Sequence, residues 1–242
     1  MAAWEIIHID ETDSTNRWLR EQRWEDPSDE KRDDRAMVVW ADFQTAGRGC
    51  GTNLWESERG KNLLFSIRFH PEGVKAAEQF RISMAISLAI CQTLEQHIGD
   101  LAIKWPNDIY WRDGKLGGIL IENRLKGSQI CDSIVGVGLN VNQQVFRSDA
   151  PNPVSLWQIH GQQTDCRQLL EDILSRLEPC MQSDMKQAYM SRLYRRKGYH
   201  AYADKAGAFM AKIVDVEQDG HLLLCDEHGQ NRRYAFKEVT FV

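Results

Sequence analysis

Apolar and polar residues alternate from Trp4 to Ile9, which predicts a half-buried strand. Asp13-Ser14-Thr15-Asn16 follows with several side chains of the helix-capping type, so a short helix is expected around Arg17 to Gln22. Residues 24–35 are dense in charge of both signs, contain Pro27, and read as a solvated loop. The apolar run from Ala36 to Asp42 predicts a buried strand, and Asn62 to Phe69 another. Between them, residues 43–61 hold four glycines and little periodicity. Long loops of this kind inside a compact domain are usually functional or disordered.

Phe80, Met84, Leu88, Cys91, Leu94 and Ile98 recur at spacings of three and four, which predicts a long amphipathic helix over 76–98. Strands are expected at Ala102 to Trp105, Ile109 to Trp111 and Leu116 to Glu122, with Asp113-Gly114 as a hairpin turn between the last two. Ile130 to Val141 reads as a further strand whose glycines, 136 and 138, admit the close approach of a backbone or a ligand. A second helical region runs from about Asp165 to Leu193 on a stripe of Leu169, Leu170, Ile173, Leu174 and Leu177, and Pro179 should kink or divide it. From Gly198 to Val242 short alternating segments with turns at Asp219-Gly220 and His228-Gly229 suggest a small appended β-barrel.

A formal net charge of -5 argues against broad nucleic-acid or anionic-membrane binding. Residues 1–5 do not have the form of a signal peptide, and no apolar run reaches the ~18 residues of a membrane span. The six cysteines are scattered without a C-x-x-C pair, so a disulfide framework and a metal site are both poorly supported and a reducing cytoplasm is expected.

Two segments carry candidate chemistry. Gln44-Thr45-Ala46-Gly47-Arg48-Gly49, running on to Trp55, is a glycine-punctuated loop with a fixed cation; its glycines let backbone N–H groups turn inward, and the guanidinium can grip a phosphate or carboxylate with two hydrogen bonds. A surface turn with an exposed arginine is the plainer reading of that tripeptide. Lys104-Trp105-Pro106-Asn107-Asp108 leads into Lys115-Leu116-Gly117-Gly118-Ile119, placing an acid and a lysine on facing strands beside two glycines that leave room for a flat ligand. Here the plainer reading is a polar turn and a surface lysine. Ser14-Thr15-Asn16 serves either to cap a helix or to hydrogen-bond a small polar ligand. Gly138-Leu139-Asn140 is either a strand end or an amide near a nucleotide.

These motifs, in this order and at this spacing, resemble the biotin protein ligases across residues 4 to about 197. The resemblance implies an α+β fold. Its catalytic domain, residues 1–197, would have a mixed central β-sheet flanked by helices of the class II aminoacyl-tRNA-synthetase-like type, and residues 198–242 would form an SH3-like β-barrel. It implies a two-step reaction in which biotin and MgATP form biotinyl-5′-AMP, and a lysine of a biotin carboxyl carrier domain of a carboxylase or decarboxylase then displaces AMP. By likeness, Lys115, Arg48 and Asp108 are catalytic. Ser14, Thr15, Asn16, Gln44, Gly47, Arg48, Gly49, Trp55, Lys115, Gly117 and Gly118 bind biotin, and Arg48, Trp55, Asn107, Lys115 and Asn140 bind ATP or the adenylate. Mg²⁺ arrives with ATP, and relatives often form homodimers.

Two departures from the family pattern stand out. After Gly-Arg-Gly the loop continues as Cys50-Gly51-Thr52-Asn53-Leu54, with no basic residue before Trp55. In relatives a cation at the position of Cys50 helps retain the adenylate. The first catalytic strand begins at about Trp4, which leads to the expectation of a ligase without repressor activity. The alternatives are a lipoate- or octanoate-type acyl-carrier ligase, and a biotin-binding protein that has lost transfer.

Overall fold

A computed structural model describes residues 4–22, 36–51, 53–148 and 150–242; the charged segment 24–35 lies outside the described residues. Strand β1 (Glu5–Thr12) leads through helix α1 (Thr15–Glu21) to β2 (Met37–Gln44) and β3 (Leu63–Phe69). A single 3₁₀ turn at Ala76–Glu78 precedes α2 (Phe80–Leu94), and the strands β4 (Leu101–Lys104), β5 (Asp108–Trp111), β6 (Gly114–Lys126) and β7 (Gln129–Leu139) follow. Together they form a seven-stranded sheet in the order β1-β2-β3-β7-β6-β5-β4; β1 and β2 run parallel and the remaining pairs antiparallel.

Side-chain alternation along the strands decides what covers each face. On β2, Val38 joins the main core with Leu63, Phe65 and Ile67 of β3 beneath α2, whereas Val39 packs on Leu19 of α1. The intervening residues of β3, Ser66 and Arg68, therefore point toward α1, where both bond to it. Helix α2 differs from its expected form. It ends at Leu94, and 13 of its 15 residues are buried instead of a single stripe, because the sheet covers one side and α4 (Cys166–Gln182) the other. Asp165 caps α4 by accepting from the N–H groups of Arg167 and Gln168. Pro179 sits inside α4 near its end; the helix stops at Gln182, and α5 (Lys186–Ser191) restarts the chain. A short helix α3 (Leu156–His160) was not expected; Ser155 and Gln158 close a reciprocal capping box at its start.

Beneath α1, Asp132 on β7 accepts from Arg68 Nη2 at 2.9 Å and Arg124 Nε at 3.0 Å, with Asp132 and Arg68 both buried. Removing one partner of such a pair leaves the other charge desolvated, so Asp132→Ala is expected to cost about 3 kcal/mol in urea unfolding. A loss under about 1 kcal/mol would show that Arg68 finds equivalent solvation elsewhere.

The C-terminal strands β8 (His200–Asp204), β9 (Gly207–Val216), β10 (Leu222–Asp226), β11 (Asn231–Tyr234) and β12 (Thr240–Phe241) form a separate antiparallel sheet in the order β11-β10-β9-β8-β12. Its turns at Asp219-Gly220 and His228-Gly229 fall where expected. Trp105 Nε1 donates to the Gly220 carbonyl at 2.8 Å, Arg196 donates to that of Ile213, and Lys186 pairs with Asp215, latching this sheet to the larger unit.

Candidate active site

The α1 face of the sheet is only partly covered, and the uncovered part is a cleft of about 420 Å³. Its floor has no side chains at two neighbouring points. Gly118 on β6 pairs in register with Gly138 on β7, and both face the cleft. The Trp55 indole lies over them, so that a Cβ at residue 138 would fall 2.5–2.9 Å from its ring atoms. Any side chain there would evict the indole.

The pairing of β5 with β6 explains how an acid and a lysine reach one point. Asp108 opposes Gly118, but Tyr110 opposes Lys115, with a register shift after Ile109. Lys115 and Gly118 are three residues apart and would face opposite sides of a regular strand. The extra residue of the bulge restores them to one face. Lys115 Nζ consequently lies 2.8 Å from Asp108 Oδ1, and both side chains are about one-quarter exposed (28% and 25%), so the pair is open to a ligand. The hairpin departs from the expected turn: Trp111 pairs with Gly114, and the connecting residues are Arg112 and Asp113, with Arg112 left-handed at φ 50°.

At the other end Ser14, Thr15 and Asn16 are buried. Ser14 stands at the N-cap position of α1, yet its side chain makes no capping bond. Gln44 Oε1 accepts from the Thr15 N–H at 2.8 Å and its hydroxyl at 3.0 Å. Ser66 Oγ lies 2.7 Å from Thr15 Oγ1 and 2.6 Å from Asn16 Oδ1, with one proton to donate between them, and Asn16 Nδ2 donates to Glu122 at 2.8 Å. Gly136 is required beside them, since a Cβ there would collide with the Asn16 amide. The result is a compact polar end in which these side chains hydrogen-bond one another.

The loop after β2 folds back on itself, with Gly49 N–H donating to the Asn53 carbonyl and Trp55 N–H to that of Gly47. That places Arg48, exposed, on the cleft rim. Asn107 Nδ2 donates to Cys50 Sγ at 3.1 Å. Burial pushes the Cys50 thiol above its ordinary range, so it contributes no charge at neutral pH. Burial also lowers the Lys104 ammonium, which donates to the Tyr110 hydroxyl at 3.0 Å.

Of the residues singled out from sequence, Ser14, Thr15, Asn16, Gln44, Arg48, Gly49, Trp55, Asn107, Asp108, Lys115 and Gly118 line the cleft; Gly47, Gly117 and Asn140 do not. Gly47 instead backs Trp55 and Gln44, and Gly117 faces Leu139 in the core. Asn140 is buried, with its amide donating to the carbonyls of Lys115 and Val154, so it braces the strand that carries Lys115. Sequence reading missed Ser66, which backs Thr15 and Asn16 from the sheet, and the C-terminal residues Phe236, Lys237 and Phe241 that complete the wall, and it gave Lys104 no role of its own within its motif. A lone serine in the apolar run Leu63–Phe69 was the available signal for the first.

The fold and the cleft together define a class of α+β proteins in which a mixed sheet carries a cation–carboxylate pair between a buried polar end and a guanidinium loop. Within that class the chain belongs to the Biotin/lipoate A/B protein ligase family, whose model matches residues 9–140. It is 28% identical over 211 residues to the bifunctional ligase/repressor BirA of Bacillus subtilis, a match covering 82% of this chain and 64% of that protein. It is 30% identical over 146 residues to the biotin–[acetyl-CoA-carboxylase] ligase of Mycobacterium tuberculosis, covering 59% of this chain and 53% of the relative. The chain thus spans under two thirds of the length of these relatives. Its fold superposes on the Aquifex aeolicus biotin protein ligase in complex with biotin and ATP, with a TM-score of 0.79 at 24% identity over 98% of both chains.

Proposed function

We propose that this protein activates biotin with MgATP as biotinyl-5′-AMP and transfers the biotinyl group to a lysine of a biotin carboxyl carrier domain in the cytoplasm. The observation that carries this reading is the Lys115–Asp108 pair at 2.8 Å, seated between the polar end and the Arg48 loop. Residues 1–197 act as the catalytic domain and residues 198–242 as the SH3-like domain.

In the first step a biotin carboxylate oxygen attacks the α-phosphorus, the new acyl–phosphate bond forms, and pyrophosphate leaves. Two anions must meet, and Lys115 and Arg48 offset the repulsion where charge develops. Asp108 is the sole carboxylate among the described lining residues and is already paired, so the cleft offers magnesium no ligand set of its own. The ion comes in on the nucleotide phosphates. In the second step the neutral acceptor amine attacks the acyl carbon, AMP leaves, and the amine's proton passes toward Asp108 or solvent.

A lipoyl or octanoyl group would waste the polar end, because beyond the acyl carbonyl neither carries N–H or C=O groups to pair with Thr15 and Asn16 there. The reading is tested by the intact mass of a purified carrier domain after incubation with this protein, MgATP and either biotin or lipoate. A gain of one biotinyl group, lost when the acceptor lysine is replaced, is expected. A gain with lipoate alone would sink the biotin assignment. Cys50→Arg should hold biotinyl-5′-AMP more firmly, since it adds a cation at the loop; equal retention of intermediate by both proteins through gel filtration would contradict this.

A further inference from the structure

The charged side chains lining the cleft are out of balance. Arg48, Lys104, Lys115 and Lys237 face a single carboxylate, Asp108, and that carboxylate is bonded to Lys115. Lys104 is engaged with the Tyr110 hydroxyl and lies over the Phe241 ring. Arg48 and Lys237 have no carboxylate partner among the described residues. A concave surface with two unpaired cations is a site for an anion with several charges.

Lys237 comes from a part of the chain remote from every motif read in the sequence. It lies between β11 and β12 of the C-terminal sheet. Its ammonium occupies the space where a side chain at residue 51 would begin, so it rests on the backbone of the Arg48 loop. Phe236 beside it packs edge-on against Trp105, which is itself bonded to Gly220, so the segment is held to the 104–108 strand connection. Lys237 also adopts a left-handed backbone, φ 69°, a conformation that glycine takes without steric cost and lysine does not.

We propose that Lys237 is an anion-binding residue of this cleft and that it holds the phosphate chain of the nucleotide from the side opposite Lys115. This rests on the nucleotide-dependent reading given above. The cleft is then completed by a cation from the second sheet, and Arg48 and Lys237 grip the triphosphate between them.

The experiment is calorimetric titration of the full chain, in the presence of biotin, with Mg²⁺ and α,β-methylene-ATP, whose α–β bridge cannot be cleaved, on wild type, Lys237→Gln, Lys237→Gly and Lys237→Arg. The Kd for the analogue should weaken about tenfold in the Gln and Gly variants, as for loss of one charged hydrogen bond. The Arg variant should stay near wild type, and biotin affinity should be unchanged in all. Lys237→Gly should melt at or above the wild-type temperature, because it relieves the left-handed backbone, so its weaker binding would not reflect damage to the fold. Analogue affinity in Lys237→Gln equal to wild type, or an equal loss for biotin, overturns the proposal. The biotin-dependent exchange of labelled pyrophosphate into ATP by the wild type, measured separately, tests the ligase reading and does not depend on residue 237.

Discussion

Lys115→Ala is expected to lower the rate of biotinyl-5′-AMP formation about 10³-fold, because two effects of the same sign combine. On the proposed mechanism the variant loses the cation that would stand between carboxylate and α-phosphate. It also leaves Asp108, now without its partner at 2.8 Å, as an uncompensated negative charge at the point where two anions must approach. The fold should survive. The side chain is partly exposed, and the backbone bonds of residue 115, from its N–H to the Asn152 carbonyl and from Val154 N–H to its own carbonyl, do not involve it. The check is biotin-dependent pyrophosphate exchange at saturating substrates. A loss of less than about tenfold would mean that Arg48 alone carries the charge stabilisation.

The second large effect falls on the other half of the reaction. Asp108→Asn keeps the size of the side chain and the cation of Lys115 but removes the carboxylate. Transfer from preformed biotinyl-5′-AMP to the carrier lysine should fall about 10²-fold, the usual yield of a positioned base, while adenylate formation changes by less than about tenfold. Single-turnover transfer, followed by carrier mass against time, separates the two steps. If both half-reactions fall together, Asp108 serves only to hold Lys115 in place and the transfer role assigned to it is wrong.

The chemistry was more legible in the sequence than the geometry that assembles it. Ser14 to Asn16, Gln44, Arg48, Trp55, Asp108 and Lys115 stand in short motifs whose residue types announce an anion-handling site, and all line one cleft. What brings Lys115 to Asp108 is a one-residue register slip between β5 and β6. No alternation pattern reveals it, since a bulge changes pairing without changing composition. The same limit led Gly117 to be read as a ligand wall beside Gly118, although adjacent strand residues face opposite ways and Gly117 meets Leu139. Asn140 was placed near the nucleotide by its match to the family motif, and here its amide nitrogen donates to two backbone carbonyls. Helix α2 was found by its period, but its near-complete burial depended on α4, some seventy residues later. Helix α3 could have been found, because Ser155-Leu156-Trp157-Gln158 spells a capping box. The contribution of Phe236, Lys237 and Phe241 could not, since nothing local to the second sheet says which surface of the larger unit it covers.

The bare floor at Gly118 and Gly138 bears on how such a protein can diverge. At most positions natural drift has a ladder of similar residues to climb, one codon at a time. Every codon one base away from a glycine codon that specifies another amino acid adds at least a Cβ, and at residue 138 that atom meets Trp55 at under 3 Å. Residue 138 therefore has no near neighbour in sequence space while Trp55 stays in place, whereas a Cβ at residue 118 would lie 3.3 Å or more from its neighbours. Descendants that keep Trp55 and change what they bind would do so through the rim, where Arg48 and the wall from the second sheet can vary while the floor at residue 138 stays as it is.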